Sequence, residues 1–290
     1  MTLYDAVIGP FAEFAFMRRA LAGCVALSAG AAPVGVFLML RRMSLTGDAM
    51  AHAILPGAAV GFLAFGLQLI PMTVGGIIAG LCVALLSGMV ARVTALKEDA
   101  SLASFYLISL ALGVLIVSVR GSSVDLMHVL FGTVLALDDH ALFFIAGSAT
   151  FTLLMFAIIL RPLTMECVDP RFLGVASPAG GVVHLIFLGL VVTNLVSGFQ
   201  ALGTLLAVGI MMLPATAASF WSRDLLGMVG IAFAIALISS AGGLLVSYHV
   251  SLPSGPAIIL FAGALYLFSL TFGPVGGVIS SLWPRHHRTA

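Results

Sequence analysis

The chain has 290 residues, of which 61 % are apolar and 8 % charged, and a formal net charge of +1. A soluble domain carries about a quarter charged residues, so this composition excludes a soluble enzyme and a disordered chain. The near-neutral balance also offers no field to attract nucleic acid. With a mean hydropathy of +1.22, the chain is expected to be an all-α integral membrane protein, a polytopic bundle whose surroundings are the lipid bilayer.

About 20 apolar residues cross the hydrocarbon as a helix, so charge-free intervals give the spans. The first covers 20–40, with arginines at both ends, and residues 3–16 before it leave a short interfacial helix open. Asp5, Glu13 and the late Arg18-Arg19 do not fit a signal peptide. From Ala53 to Ala91 no charged residue or histidine occurs, and Gln68 to Pro71 supplies the break between spans at 44–67 and 72–92. Spans at 101–119 and 141–160 follow. The next long interval, 185–222, divides at Ser197, Gly198, Gln200 and Gly203 into 181–197 and 203–221. The last two spans run 225–248 and 256–273, separated by Ser251-Leu-Pro-Ser-Gly-Pro256. The total is nine segments, or eight if one is re-entrant. Backbone amides in lipid must pair internally, and no strand-like alternation is present, so the segments are helices. The chain reads as one domain, 1–290.

Basic residues favour the cytoplasmic side. One orientation puts Arg41-Arg42, Arg92, Lys97, Arg161, Arg171, Arg223, Arg285 and Arg288 inside, and Arg18-Arg19 and Arg120 outside. Gly57-x-x-x-Gly61 and Gly76-x-x-x-Gly80 permit close helix approach, within one chain or across a dimer seam. Cys24, Cys82 and Cys167 are scattered without C-x-x-C spacing and read as packing residues or free thiols. The sole lysine, Lys97, precedes Glu98, so no P-loop is present. Energy for any transport therefore comes from an ion gradient or from a separate subunit.

The most informative stretch runs from Arg41 through Gly47-Asp48-Ala-Met-Ala-His52 to Pro56-Gly57. Asp48 and His52 stand four apart and share one helix face, a carboxylate and an imidazole suited to a divalent first-row metal. Gly47 and Pro56-Gly57 allow the helix to be irregular there. The structural alternative is an Asp–His hydrogen bond tucked between helices, although ionisable groups inside a bilayer usually mark a pathway. Two ligands are too few for a structural zinc site; other helices, water or a second copy of the chain would complete the set. A second polar group, Asp125, His128, Asp138, Asp139 and His140, is either a hydrated loop with helix caps or a vestibule that attracts cations. His184 and His249 stand apart from other ligand types near span ends, where an interfacial hydrogen bond is expected rather than ligation, and His286-His287 ends a basic, solvated tail. No H-E-x-x-H occurs, so a zinc metalloprotease is excluded. The hydrophilic stretch 161–180 is the longest connection, and Asp169-Pro170 within it is a good helix start, followed by Arg171 and Phe172. A short helix there could meet a soluble partner, or the stretch could be a plain connector.

These residues together resemble the membrane permease subunits of bacterial ABC importers for zinc, manganese and related divalent metals, from about Phe16 to the C-terminus. The resemblance rests on Leu40 to Gly57, Leu96-Lys-Glu-Asp-Ala100, Val124-Asp125 leading to Leu130-Phe-Gly132, Asp169-Pro170, Gln200-Ala-Leu-Gly203, Met212-Leu-Pro-Ala215 and Leu252 to Ile259. After Asp169-Pro170, Arg171 and Gly174 depart from the family pattern.

The resemblance implies a permease that moves Zn2+ or Mn2+ across the bacterial inner membrane by alternating access, a transport subunit rather than an enzyme, with no resident cofactor. It also implies a second permease copy, an ATPase dimer that hydrolyses ATP on the cytoplasmic face, and an extracytoplasmic metal-binding protein. Asp48 and His52 match the ligand pair of the ion path, and the 161–180 loop around Asp169 matches the segment that couples to the ATPase. The rivals are a permease for haem, siderophore or cobalamin, which would give Asp48 and His52 no task, and a proton- or sodium-driven transporter, which would need no ATPase.

Overall fold

The computed structural model describes residues 7–66, 68–94, 96, 98–119, 134–168 and 180–282. Among the described residues every regular element is helical. A short α1 (Gly9–Glu13) leads into α2 (Ala15–Leu40), and α3 (Ser44–Ala53) and α4 (Leu55–Phe65) follow as two halves of one crossing. Next come α5 (Leu69–Val93), α6 (Glu98–Val119), a 3-10 turn at Val134–Ala136 and α7 (Asp139–Val168). The chain closes with α8 (Gly180–Leu202), α9 (Thr204–Ala218), α10 (Leu225–Val250), α11 (Ser254–Phe272) and α12 (Val278–Leu282). Eight of the described helical stretches, with α3 and α4 taken together, are long and apolar enough to cross a membrane. The ninth apolar segment, α9, has 15 residues; at about 1.5 Å per residue it falls short of the roughly 30 Å of hydrocarbon.

Three predicted boundaries move. The span at 44–67 is interrupted at Ile54, because Pro56 has no amide to give the carbonyl four residues back. The turn expected from Ser197 to Gly203 shrinks to Gly203. Its φ of 95° is glycine territory, while Ser197 and Gly198 stay helical. Gly198 is small because α9 doubles back onto it, a Cβ there meeting Ala207 Cβ at 2.6 Å. Finally, the span expected to end at residue 160 continues to Val168 through Pro162, so residues 161–168 are helix rather than loop. Asp169, Pro170, Arg171 and Phe172 lie outside the described residues.

Both glycine pairs serve packing within the chain. A Cβ at Gly57 or Gly61 would run into the backbone of Gly75 or Pro71, so α4 and α5 touch main chain to main chain. Gly76 and Gly80 face Ile54 and Val192 instead. Gly35 likewise lets α2 cross the Met211 carbonyl of α9. Polar side chains pin the same centre: buried Asn194 of α8 donates to Thr152 Oγ1 of α7 at 2.8 Å, and Ser148 to Ser197 at 2.8 Å. Such bonds between membrane helices are worth about 0.6 kcal/mol each on average. Cys24 is buried, Cys167 half-buried and Cys82 exposed, and all three are free thiols.

Each end of the bundle carries an arginine–carboxylate pair. At one end Arg19 pairs with Asp139 at 3.0 Å, and Asp138 caps α7 by accepting from the Ala141 amide at 2.9 Å. At the other, Arg41 pairs with Glu166 and contacts His184, so His184 does not stand alone. Arg18-Arg19 and Arg41-Arg42 sit at opposite ends of α2.

After Leu40 the chain turns through a Schellman motif: the Arg42 amide bonds the Met39 carbonyl at 3.0 Å and the Met43 amide that of Leu38 at 2.9 Å. The left-handed position falls on Arg42, with φ of 59°. A non-glycine residue there is strained by about 1–2 kcal/mol. Arg42→Gly should therefore stabilise the detergent-solubilised protein by about 1 kcal/mol, part of the relief being offset by glycine's unfolded-state entropy. A lowered melting temperature would refute it.

Candidate metal path at Asp48 and His52

Helix α3 presents Asp48 and His52 one turn apart, with His52 Nε2 3.8 Å from Asp48 Oδ1. That exceeds a hydrogen bond, so the expected alternative of a direct Asp–His bond is not formed. Two donors holding one ion at about 2.1 Å in tetrahedral geometry stand about 3.4 Å apart, a small closure from what is present. The Asp48 side chain is 65 % exposed and that of His52 31 %, while His52 Nδ1 is buried without a hydrogen-bond partner. The pair therefore opens outward from the chain. Leu45, on the same face, is 75 % exposed.

The surroundings hold α3 in place. Gly47 lies against Met211 Cε and the Met212 thioether of α9. On the opposite side Ser109 of α6 donates to the Ala53 carbonyl at 2.9 Å, fixing the α3–α4 interruption. Tyr106, one turn earlier on α6, stacks on the His52 ring at 6.2 Å between centroids. Sequence reasoning missed Tyr106 and Ser109, because neither sits in a polar motif and their placement depends on how α6 crosses α3.

Among the described residues no three His, Cys, Asp or Glu side chains gather into a metal-holding group. Of the second polar cluster, Asp138, Asp139 and His140 lie together at the first turn of α7, near Arg19, while Asp125 and His128 fall outside the described residues.

A partly exposed carboxylate and imidazole thus stand one turn apart on an interrupted apolar helix of a polytopic membrane protein. A family model described as the ABC 3 transport family matches residues 13–273, and the chain belongs to that family. It is 30 % identical to the manganese import system permease protein ScaB of Streptococcus parasanguinis over 90 % of this chain and 92 % of that protein. It is 27 % identical to the chelated iron transport system membrane protein YfeD of Yersinia pestis, over 94 % of this chain and 90 % of that one. Among solved structures, PsaBC from Streptococcus pneumoniae in complex with Fab superimposes with a TM-score of 0.84 at 28 % identity, covering 97 % of this chain and all of that one.

Proposed function

We infer that the chain is the permease of an ATP-driven importer for a divalent first-row metal ion in a bacterial cytoplasmic membrane, with manganese the first candidate and zinc and iron the alternatives. The observation that carries the reading is the outward-facing Asp48–His52 pair, two donors set on an interrupted helix with no third nearby among the described residues. A second copy of the chain facing the first would supply two more, giving an oxygen- and nitrogen-donor set of four. The names of ScaB and YfeD support a metal cargo without choosing between metals, which an Asp/His set binds alike.

In this reading the ion enters near the acidic first turn of α7, is held transiently by Asp48 and His52, and leaves toward the Arg41 end as the helices rearrange. Weak, incomplete ligation suits a carrier, since tight binding would trap the ion. An ATPase pair would dock beside the ends of α7 and α8, and an extracytoplasmic metal-binding protein at the Arg19 end.

Vesicles carrying the permease with its candidate ATPase and binding protein should accumulate manganese when ATP is supplied, and zinc and iron in competition with it. Uptake of haem or a siderophore instead of metal would replace this reading with the organic-cargo one. Uptake by the permease alone, driven by a proton or sodium gradient, would replace it with a secondary transporter.

A further inference from the structure

The turn that launches α3 is tied to two other helices by side chains that take no part in the Asp48–His52 pair. The Arg41 guanidinium pairs with Glu166, which lies in the last turn of α7. Through Nη1 it also donates to His184 Nδ1 in the first turns of α8 at 3.1 Å, and its carbon lies 4.8 Å above the Phe187 ring. His184 Nδ1 is in turn 3.5 Å from Glu166 Oε1. The Arg41 and Glu166 side chains are only 7 % and 14 % exposed. One side chain thus grips the end of α7 and the start of α8 together. Its own backbone belongs to the hydrogen-bonded turn that leads directly into α3.

A buried ion cluster is a poor source of stability, because desolvation offsets most of the attraction and apolar residues of similar volume serve as well. What it does supply is direction: an ion pair to Glu166 and a hydrogen bond to His184 from one planar guanidinium fix relative position as well as distance. With a tight turn on one side and two helix ends on the other, a shift of α7 and α8 must move Arg41, and with it the start of α3.

We propose that Arg41, Glu166 and His184 are positioning residues that form a strut, carrying displacement of the α7 and α8 ends to the helix that bears Asp48 and His52. The proposal rests on the reading that an ATPase acts at this end of the bundle. Its readout is therefore the number of metal ions moved per ATP hydrolysed, which a merely structural cluster would leave unchanged.

The test compares wild type with Arg41→Met/Glu166→Leu in vesicles loaded with ATPase and binding protein, using manganese. Removing both charges together leaves no buried charge alone. The double variant is expected to assemble and to hydrolyse ATP, while manganese moved per ATP falls about tenfold, a typical size for coupling between sites. An unchanged ratio would overturn the strut and leave the importer standing. Absence of ATP-dependent uptake in wild type would overturn both. Should the double variant fail to assemble, Arg41→Lys decides: it keeps the charge but lacks the fork that reaches Glu166 and His184 at once. A partial loss of coupling there supports the strut, and a wild-type ratio overturns it.

Discussion

Asp48→Ala is expected to lower manganese uptake by on the order of 100-fold or more while the permease still assembles with its partners. Removing even an outer-shell partner of a metal ligand costs about 10–100-fold in affinity or activity, and a direct ligand should cost more. In a symmetric pair the substitution deletes two donors at once. The Asp48 carboxylate is 65 % exposed, so its loss leaves no buried partner stranded and should change stability by less than about 0.5 kcal/mol. His52→Ala should match it in uptake but melt lower, since the ring packs against Tyr106. Uptake and melting temperature measured on the same preparations separate a lost ligand from a lost fold. Wild-type uptake by both variants would remove the ion path from this helix without touching the family.

Glu166→Leu by itself should destabilise the protein by about 3–5 kcal/mol, because Arg41 would remain buried with its charge uncompensated. The turn that carries the arginine is held by two backbone hydrogen bonds and has little slack. Adding Arg41→Met should restore most of the loss, so the two substitutions together melt near wild type. Unfolding of the two single variants and the double variant in mild detergent measures this. A single variant as stable as wild type would show that water reaches the pair.

Much of the bundle was legible because the bilayer restricts what a sequence can mean. Long apolar intervals must be helices, and a charge-free stretch from Ala53 to Ala91 must turn somewhere near Gln68. Asp48 and His52 were legible for the same reason: ionisable groups are so costly in apolar segments that a pair at helical spacing stands out. Helix ends were less legible. Residues 161–168 look like loop by polarity, yet Glu166 and Arg161 sit in helix: Glu166 finds a buried partner, Arg41, in the turn after α2, and Pro162 does not stop the helix. His184 looked isolated because Arg41 and Glu166 are remote from it in the chain, and only folding brings the three together.

By itself the sequence determined the class, the count of apolar segments, the missing phosphate-binding loop and the candidate ligand pair, since each follows from local composition or from spacing on one helix. The tertiary structure decided which face of α3 opens outward, that Asp48 and His52 stand 3.8 Å apart without a hydrogen bond, and that Tyr106 lies beside them. It also decided that Arg41 holds the ends of α7 and α8. Those facts depend on how helices distant in the chain cross one another, and helix crossings are set by side-chain shape and small-residue contacts that no single segment contains.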